Sequence, residues 1–494
     1  MLCRGSASRS ETTWPKCERE AQVVANYPQG VVPERLTPIL KQTNELADLF
    51  MAHGFKLYLV GGTVRDLLLG AEISGDFDFT TNARPDQIKQ IVSGWADAVW
   101  AQGERFGTIG ARKQGRQFEI TTHRGEAYNP DSRKPDVAFA THIDNDLARR
   151  DFTINAMALE LFGTNGAIPE LIDPHDGAID LAQRVLRTPG SPDQSFDDDP
   201  LRMLRAARFI AKYGLTADSA LTNAVRANAQ RLSIVSRERI QNELDKLITV
   251  KDPSNGLWFI VDTHLADEFL PELPAMRLEQ DPIHRHKDVL AHTIAVVGNV
   301  DHAHRIVRLA ALFHDVAKPR TRAFGPNGVM FHHHEVVGAR MTRDRMKALK
   351  YSTDDVAQVS QLVFLHLRFH TYSMGWTDAA VRRYVKDAGS LLGELNELTR
   401  CDCTTRNPKK AEMLSRRMDD LERRIAELRE QEELDAIRPD IDGAAVMAHL
   451  GIGPSRLIGQ ALAHLLEIRM DEGPLGTEEA FRRLDIWWST HRPE

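Results

Sequence analysis

Residues 57–81, LYLVGGTVRDLLLGAEISGDFDFTT, constrain the fold of this chain more than any other stretch. The apolar run Leu57–Val60 predicts a buried strand, and Gly61 and Gly62 follow it directly. A helix over Val64–Leu69 is predicted next. Two glycines between a strand and a helix let the backbone approach a phosphate closely, with helix N–H groups directed at the anion. The pattern therefore predicts a phosphate-binding turn.

Paired carboxylates follow on a second predicted strand. Asp76 and Asp78 lie two residues apart, so on a strand both side chains face the same side. In the strand predicted over Gln117–Thr122, Glu119 alternates with apolar residues and is placed to add a third carboxylate. The alternative for Glu119 is an exposed side chain on an edge strand. A phosphate-binding turn beside paired carboxylates predicts two-metal phosphoryl transfer.

The composition indicates a multidomain protein of ordinary globular type. A chain of 494 residues is too long for one hydrophobic core, and 42% hydrophobic content is typical of globular proteins. No window approaches the roughly 18 uninterrupted apolar residues of a membrane span, and the N-terminus lacks the apolar segment of a signal peptide. Four cysteines, including a pair at Cys401 and Cys403, make no disulfide framework, so we expect a reducing, cytoplasmic location.

Two further segments of the first half are predicted from composition and spacing. Residues 125–140, GEAYNPDSRKPDVAFA, are polar with two prolines and are predicted to form a long mobile loop, of the kind that enzymes use as a lid. The run from Asp146 to Leu159, DLARRDFTINAMAL, is predicted to be a helix with a basic start. Its Arg149 and Arg150 are placed to meet a triphosphate or ribose, and the alternative is a solvated basic face.

From Phe196 the pattern becomes almost entirely helical. The run Asp197–Pro200 is predicted to open a helix, with acids where the macrodipole favours them. On that helix Asp199 and Arg202 would lie one turn apart, where they can present an acceptor and a donor to a base edge or form an intrahelical ion pair. A basic stripe repeats every three residues: Arg202, Arg205 and Arg208.

Histidines are concentrated beyond a linker predicted at residues 271–282. A helix predicted over Ile306–Ala317 places His314 and Asp315 at the end of an apolar run, where they offer mixed nitrogen and oxygen ligands. The other candidate ligands lie in or beside separate helical segments: His292, His334, His366 and Asp402. A single histidine on an apolar face is usually a satisfied core residue, but several in one helical region predict a metal site.

The motifs together resemble a known family. Residues 55–250, approximately, resemble the class II nucleotidyltransferases, which include tRNA CCA-adding enzymes and bacterial poly(A) polymerases. The resemblance lies in four motifs, in this order: LVGGTVRDLLLG with DFDFTTNARPDQI, RRDFTINAMA, DDPLRMLRAARF and SRERIQNEL. Residues 284–403, approximately, resemble the HD phosphohydrolase domain, through the segments HKDVLAHT, LFHDVAKP, HHHE and FLHLRFH. The combination resembles CCA-adding enzymes with a C-terminal HD domain.

The resemblance implies roles for the head residues. It implies that Asp76 and Asp78 are catalytic and hold two Mg²⁺ ions, and strand alternation adds Glu119 to the predicted catalytic set. The nucleotide-binding residues that it implies are Gly61, Gly62, Arg65, Arg150, Asp151, Asp199, Arg202, Arg205 and Arg208. By this resemblance, Asp199 accepts from the exocyclic amine of C or A, and Arg202 donates to the adjacent ring nitrogen. Asp198 stands where the family more often has glutamate.

The resemblance also implies a divalent transition metal in the HD domain. Its ligand set is His292, His314, Asp315, His334, His366 and Asp402. His332 and His333 compete with His334 for its role, and His370 competes with His366. HD domains in this setting resemble metal-dependent phosphodiesterases or phosphatases.

The predicted fold is an α+β head, a nucleotidyltransferase-type mixed sheet with helices, followed by an all-α neck, an HD domain and a helical tail. The predicted boundaries are 1–35 for an N-terminal extension, 36–185 for the head, 186–275 for a helical neck that binds the base and RNA, 276–405 for the HD domain and 406–494 for the C-terminal region. Lys409–Glu433 is predicted to be one long charged helix, and a turn with a short helix follows it.

The leading hypothesis is addition or repair of the 3′-terminal CCA of tRNA from CTP and ATP, with the tRNA 3′ end as partner and no membrane involved. The alternatives are a poly(A) polymerase, a partial A- or CC-adding enzyme, or an HD phosphohydrolase with an inactive head. The intact Asp76, Asp78, Asp199 and Arg202 argue against an inactive head.

Overall fold

The structure is a computed structural model. It describes residues 36–71, 76–127, 136–164, 169–278, 288–325, 328–371, 376–403, 408–432 and 437–492. The chain divides into two compact units. One comprises the described residues up to Val235 with Thr263–Leu265, and the other comprises Ser236–Asp262 with the residues from Ala266 onward. The predicted change from a mixed α and β head to helical domains is confirmed, and the finer division into five segments stays a prediction.

The first unit is a mixed sheet with helices. Its strands are β1 (Leu57–Val60), β2 (Phe77–Thr81), β3 (Ala98–Trp100), β4 (Thr108–Lys113), β5 (Arg116–Thr122), β6 (Arg124–Ala127), β7 (Asp136–Phe139), β8 (Ala158–Leu161), β9 (Glu170–Ile172), β10 (Val185–Leu186) and β11 (Thr216–Ala217). Its α-helices are α1 (Thr37–Ala52), α2 (Gly62–Leu68), α3 (Pro85–Val92), α4 (Ile143–Ala148), α5 (Gly177–Gln183), α6 (Pro192–Asp198), α7 (Leu201–Tyr213) and α8 (Ser219–Asn228). Short 3-10 helices lie at Glu104–Phe106, Thr153–Asn155 and Ala229–Ile234.

Seven strands form the main sheet in the order β3-β4-β5-β2-β1-β8-β9. The strand β2 pairs in parallel with β5 and antiparallel with β1. Because side chains alternate along β2, Phe77 and Phe79 point into the core and Asp78 points out of it. Phe118 of β5 packs against both phenylalanines, with ring centroids 5.7 and 6.1 Å away. This aromatic layer fixes the face of the sheet that carries the carboxylates.

Two segments of the head differ from the predictions. Residues 146–159 do not form one helix: α4 ends at Ala148, a 3-10 turn follows and β8 pairs with β1. Beyond α4 the Asp151 carboxylate accepts the Phe152 backbone N–H at 2.9 Å, so that N–H is not available to resume helical pairing. The predicted loop 125–140 is a β-ribbon at both ends, since β6 and β7 pair antiparallel. Its middle, 128–135, lies outside the described residues.

The helix predicted to open at Asp197 is wrong in its start. The acids Asp197 and Asp198 end α6, and α7 begins at Leu201. Between the two helices Asp199 is extended, with φ −146° and ψ 98°, as expected for a residue before proline. Asp199 and Arg202 therefore do not lie on one helix face.

The second unit is mainly helical. Its α-helices are α9 (Arg237–Ile248), α10 (Ser254–Asp262), α11 (Glu272–Ala275), α12 (Val289–Asn299), α13 (Arg305–Phe313), α14 (Lys318–Thr321), α15 (His334–Ala348), α16 (Thr353–Leu365), α17 (Arg368–Thr371), α18 (Asp378–Ala388), α19 (Leu392–Asp402), α20 (Pro408–Gln431), α21 (Gly443–Leu450), α22 (Arg456–Glu472) and α23 (Thr477–His491). One antiparallel hairpin interrupts them, formed by β12 (Arg322–Gly325) and β13 (Gly328–Phe331).

Several predictions for this unit need adjustment. The long charged helix is confirmed as α20. The predicted linker 271–282 contains the short helix α11, with Leu273 buried, and 279–287 lie outside the described residues. The C-terminal region holds three helices rather than one short helix, and they share a core that includes Val446, Leu465 and Trp487. In the part of the chain that the structure describes, no helix is both long and apolar enough to cross a membrane.

Candidate active site and candidate metal centre

The first candidate site is a carboxylate cluster, defined here as Asp76, Asp78 and Glu119. Asp78 and Glu119 are direct partners in the parallel register of β2 and β5, so their side chains leave the sheet on the same face. Asp76 lies just before β2, and all three side chains reach solvent. Partial burial removes water from the Asp78 carboxylate and raises its pKa. The charges of Glu119 and Asp76 raise that pKa further, and the charge of Arg150 lowers it. The sheet thus gathers like charges that a cation would stabilise.

Gly61 and Arg150 form the basic side of this cluster. Gly61 has φ +70°, a conformation that favours glycine, and a β-carbon there would lie 2.9 Å from Nη1 of Arg150. The missing side chain is therefore what lets the guanidinium lie against the turn after β1. Nε of Arg150 is buried and has no hydrogen-bond partner among the described residues. Gly62 begins α2, where helix N–H groups face outward.

Asp146 holds both arginines of the RRD motif, a role that the sequence did not suggest. Its carboxylate lies 2.8 Å from Nη2 of Arg149 and 3.1 Å from Nη2 of Arg150, and it accepts the Arg124 backbone N–H at 3.2 Å. Burial alone would raise the pKa of Asp146, but the two guanidinium groups outweigh it and lower the pKa to about 2. Two cations share one buried anion, so the group carries a net positive charge. The one available signal was the spacing of three and four residues from Asp146.

Two of the predicted nucleotide ligands make mainly internal contacts. Arg65 is buried, donates to Asn155 and Asp66, and stacks 4.4 Å from the Tyr213 ring centroid. Asp151 is buried, accepts from the Asn155 side chain at 2.9 Å and pairs with Arg205. These contacts connect α2, the 3-10 turn at 153–155 and α7.

The Asp199–Arg202 pair sits at the junction of α6 and α7. The Asp199 carboxylate accepts the Leu201 backbone N–H at 3.2 Å. Arg202 donates to the Ser195 hydroxyl at 2.9 Å and to the Arg149 carbonyl at 2.6 Å. Arg208 continues the stripe, with its guanidinium 4.7 Å from the Phe209 ring centroid. The contact with Arg149 joins the base-contact candidate Arg202 to the phosphate-contact candidates.

A cavity of about 390 Å³ opens at this junction. Its lining includes both arginines of the RRD motif and the α6–α7 residues: Arg149, Arg150, Gln194, Ser195, Asp198 and Arg202. The Asp198 carboxylate accepts from the Gln194 side chain at 2.8 Å. The cavity thus places polar donors and acceptors beside the positive group around Asp146, and its volume lies within the range of small-molecule sites.

The second candidate site is a histidine centre, defined as His292, His314, Asp315, His334, His366 and Asp402. It contains two groups that could hold a metal ion: His292 with His314 and Asp402, and Asp315 with His334 and His366. Asp315 faces both groups. Its Oδ2 lies 3.2 Å from Nε2 of His314, and its Oδ1 lies 3.5 Å from Nε2 of His334. The structure thus brings all six predicted residues together.

Backbone carbonyls set the tautomers of three of these histidines. Nδ1 of His314, His334 and His366 lies 2.8, 3.0 and 2.6 Å from the carbonyl oxygens of Ala311, Phe331 and Val363. A carbonyl can only accept, so each Nδ1 carries the proton and each Nε2 turns inward as a potential ligand. The Nε2 atoms of His334 and His366 are 3.2 Å apart. Two facing lone pairs at that distance fit a shared cation.

The charges of the histidine centre also fit a cation. Burial lowers the pKa of His314, but Asp315 and Asp402 outweigh it and raise that pKa to about 10. Burial opposes ionisation of Asp315 as well, yet His314 and Lys318 hold its pKa well below the ordinary value. Nζ of Lys318 lies 2.6 Å from Oδ2 of Asp315. Lys318 was not among the predicted residues, and its position three residues after Asp315 was the available signal.

The competing histidines lie elsewhere. His332, His333 and His370 are exposed, whereas His334 and His366 are buried beside Asp315. His333 has φ +56°, a left-handed conformation that turns the chain between β13 and α15. His314 and Asp315 follow the end of α13 rather than lying inside the predicted helix, which stops at Phe313.

Three family descriptions match the chain in succession. The Poly A polymerase head domain matches residues 57–187. The family described as the probable RNA and SrmB- binding site of polymerase A matches residues 214–276. The HD domain matches residues 289–428.

Curated relatives match over different lengths. The A-adding tRNA nucleotidyltransferase of Deinococcus radiodurans is 33% identical over 451 residues, which cover 88% of this chain and 96% of that protein. The CCA-adding enzyme of Ligilactobacillus salivarius is 38% identical over 244 residues, 49% of this chain and 55% of that protein. The match to the second relative therefore spans about half of each protein.

Solved structures share the fold. The CCA-adding enzyme of Bacillus stearothermophilus in complex with CTP aligns with a TM-score of 0.66 at 22% identity, over 93% of this chain and 99% of that one. The CCA-adding enzyme of Thermotoga maritima complexed with tRNA aligns with a TM-score of 0.58 at 19% identity, over 94% and 98%. The chain belongs to the nucleotidyltransferase family that unites the poly(A) polymerase head domain with the tRNA nucleotidyltransferases.

Proposed function

We propose that this chain adds nucleotides to the 3′ end of tRNA, building or repairing the terminal CCA from CTP and ATP with release of pyrophosphate. The observation that carries the proposal is the pairing of Asp78 with Glu119 across β2 and β5, with Asp76 just before β2. The family relationship supports it, because relatives bear the names CCA-adding enzyme and A-adding tRNA nucleotidyltransferase. We place this activity in the cytoplasm.

In this proposal the carboxylate cluster holds Mg²⁺ through Asp76 and Asp78, with Glu119 beside them. The three carboxylates are hard oxygen ligands of the kind that Mg²⁺ prefers. Burial first, and then the charges of Glu119 and Asp76, raise the pKa of Asp78, and a bound cation would oppose both effects. Bound Mg²⁺ would supply Lewis-acid activation of the tRNA 3′-hydroxyl and stabilise charge on the α-phosphate. The register of β2 and β5 fixes the carboxylates of Asp78 and Glu119 side by side.

The triphosphate would bind opposite the carboxylates. Arg150 lies against Gly61, and Asp146 keeps Arg149 and Arg150 in place. Gly62 offers the first N–H groups of α2. We assign Arg65 to the triphosphate side as well, acting from its buried position. Asp151, Arg205 and Arg208 support the nucleotide or the primer from the α7 side.

The base would be chosen at the α6–α7 junction. On the Watson–Crick edge, cytosine and adenine both present an exocyclic amine beside a ring nitrogen that accepts, whereas guanine presents its amine beside a ring N–H and uracil has no amine. We propose that Asp199 accepts from the amine and that Arg202 donates to the ring nitrogen. Buried polar groups that pair with one base and remain unpaired with another discriminate strongly.

A narrower product is the second candidate. A relative that matches over 88% of this chain is named an A-adding enzyme, while the CCA-adding enzyme of Ligilactobacillus salivarius matches over about half of its length. Addition of the terminal A alone is therefore a specific alternative within the same chemistry.

Product analysis separates these outcomes. The chain is incubated with tRNAs that lack CCA, CA or A, with CTP, ATP or both, and the 3′ ends are sequenced. Growth of all three substrates to one complete CCA supports the lead proposal. Growth of the tRNA that lacks A, and of no other, supports the A-adding alternative. Open-ended A addition to any RNA overturns both.

We also propose that the histidine centre performs metal-dependent hydrolysis of phosphate esters. The mixed imidazole and carboxylate ligands suit a divalent transition metal such as Ni²⁺, Mn²⁺ or Co²⁺. Such a metal would lower the pKa of bound water and supply a nucleophile. Metal-reconstituted protein is assayed with bis(p-nitrophenyl) phosphate and with nucleoside 2′,3′-cyclic phosphates. Absence of turnover with every metal would leave the centre without this activity.

A further inference from the structure

We propose that Ser195 is a positioning residue that sets nucleotide selectivity by holding the guanidinium group of Arg202. The inference rests on the proposed base-contacting role of Arg202. It adds a residue outside the predicted nucleotide-binding set. Ser195 and the Arg149 carbonyl, which together hold the Arg202 guanidinium at the α6–α7 junction, are called the clamp below.

The contacts of Arg202 define this clamp. Nη1 donates to the Ser195 hydroxyl at 2.9 Å and reaches the Ser195 carbonyl at 3.4 Å. Nη2 donates to the Arg149 carbonyl at 2.6 Å. The guanidinium is planar, so two fixed ends fix the direction of its remaining N–H groups. Ser195 and Arg149 therefore determine where Arg202 points.

Ser195 is itself rigidly placed. It is 7% exposed, and its backbone N–H donates to the Ser191 carbonyl at 3.0 Å within α6. Its neighbour Phe196 is fully buried and anchors the same turn. The hydroxyl that holds Arg202 is thus attached to the core and not to a mobile loop.

The clamp borders the cavity where a base would bind. Ser195, Arg149 and Arg202 all line the cavity of about 390 Å³. A donor discriminates between bases only if it cannot turn to meet the wrong one, because a freely rotating guanidinium finds an acceptor on any base. Loss of the Ser195 hydroxyl should therefore reduce selectivity more than it reduces binding of the triphosphate.

The test measures kcat/KM for CTP and UTP on a tRNA that lacks CCA. If the chain adds only A, the same variants are compared with ATP and GTP on a tRNA that lacks A. Ser195→Ala should lower the ratio for the correct over the wrong nucleotide about tenfold, the effect of one hydrogen bond to a charged group. Ser195→Thr retains a hydroxyl and should keep the ratio, whereas Ser195→Val has the same shape without it and should behave like alanine.

The controls separate this inference from the proposed function. Ser360→Ala removes a buried serine hydroxyl of α16 that donates to the Ala357 carbonyl, and it should leave the ratio unchanged. If Arg202→Ala leaves selectivity intact, the base-contacting role of Arg202 fails. If Arg202→Ala removes selectivity while Ser195→Ala and Ser195→Val retain it, the clamp alone is overturned. Should the alanine variant not fold, the threonine and valine pair gives the answer.

Discussion

The carboxylate cluster and the histidine centre are both groups of metal-ligating side chains, but they are built in opposite ways. The carboxylates are exposed and stand on adjacent strands, with only oxygen ligands. Three of the four histidines, His314, His334 and His366, are buried at helix ends, and backbone carbonyls fix their Nδ1 atoms. An open oxygen site suits a cation that enters with its substrate, and a closed imidazole site suits one that stays bound.

The comparison also concerns charge. Burial and the like charges of Glu119 and Asp76 raise the pKa of Asp78, whereas in the histidine centre His314 and Lys318 outweigh burial and hold the pKa of Asp315 down. The first site is only partly compensated, by Arg150, whereas the second is compensated by its own protons and Lys318. We therefore expect the two sites to differ in ligand, in metal retention and in the reaction that each loses on mutation.

The largest expected effect concerns Asp78. Asp78→Asn removes one charged ligand from the proposed Mg²⁺ site, and Lewis-acid stabilisation worth several kcal/mol corresponds to a fall of about 10³-fold or more in nucleotide incorporation. Binding of tRNA, measured by filter retention, should stay within about twofold of wild type. Asp86→Asn, an exposed acid on α3, is the matched control. Incorporation near the wild-type rate would place the metal elsewhere.

The second prediction concerns metal retention. Asp315→Asn removes the carboxylate that faces both groups of the histidine centre, so purified protein should hold little tightly bound transition metal by mass spectrometry. Hydrolysis of phosphate esters should fall by about 10²-fold or more, because loss of a direct ligand should cost at least as much as loss of a hydrogen-bond partner of a ligand. His332→Ala, an exposed histidine next to the centre, should retain both. Full metal content in Asp315→Asn would exclude it as a ligand.

The third prediction tests the positive group of the head. Asp146→Asn frees Arg149 and Arg150, so KM for the nucleotide should rise about tenfold with a smaller change in kcat. Asp180→Asn is the matched control, because Asp180 is equally buried and pairs with Arg187 and Thr153. It should destabilise the head by a similar amount without raising KM. Equal KM values for the two variants would make Asp146 purely structural.

The fourth prediction concerns stability rather than activity, and it separates a structural histidine from the candidate metal ligands. His123 is buried in the head, and burial lowers its pKa from 6.5 to about 4. Between these values the unfolded chain binds a proton that the folded head does not, so stability falls as the pH drops from 6.5 towards 4, by up to about 3 kcal/mol.

The protein is unfolded in urea at a series of pH values, and each sample is labelled by pulse hydrogen exchange at one fixed pH. Protection is then read from the peptides that contain β2 and β5 of the head. His123→Gln should flatten the pH dependence between 6.5 and 4, and added metal or chelator should not alter it. An unchanged slope in the variant would assign the acid sensitivity to other groups.

Much of the head site could be predicted from local pattern. Strand alternation placed Asp78 and Glu119 on one face, and the parallel register of β2 and β5 confirms that they are neighbours. Alternation carries this information because side chains repeat every two residues along a strand. The helix predicted through residue 159 was wrong, because α4 ends at Ala148, the Asp151 carboxylate takes up the Phe152 N–H, and β8 adds to the sheet.

What could not be predicted depends on contacts between distant parts of the chain. The hydrogen bonds from Arg202 to Ser195 and to Arg149 exist only because α6 and α7 meet at an extended Asp199. The choice of His334 over His332 and His333 likewise follows from a left-handed residue after β13. Residue spacing alone contains neither piece of information.

The most direct test of the account assays two variants for two reactions in parallel: addition to a tRNA that lacks CCA, and hydrolysis of a phosphodiester by metal-loaded protein. Asp78→Asn should lose addition and keep hydrolysis, and His314→Ala should lose hydrolysis and keep addition. Loss of both reactions in either folded variant, or survival of addition in Asp78→Asn, would contradict the claim that the carboxylate cluster alone transfers nucleotides.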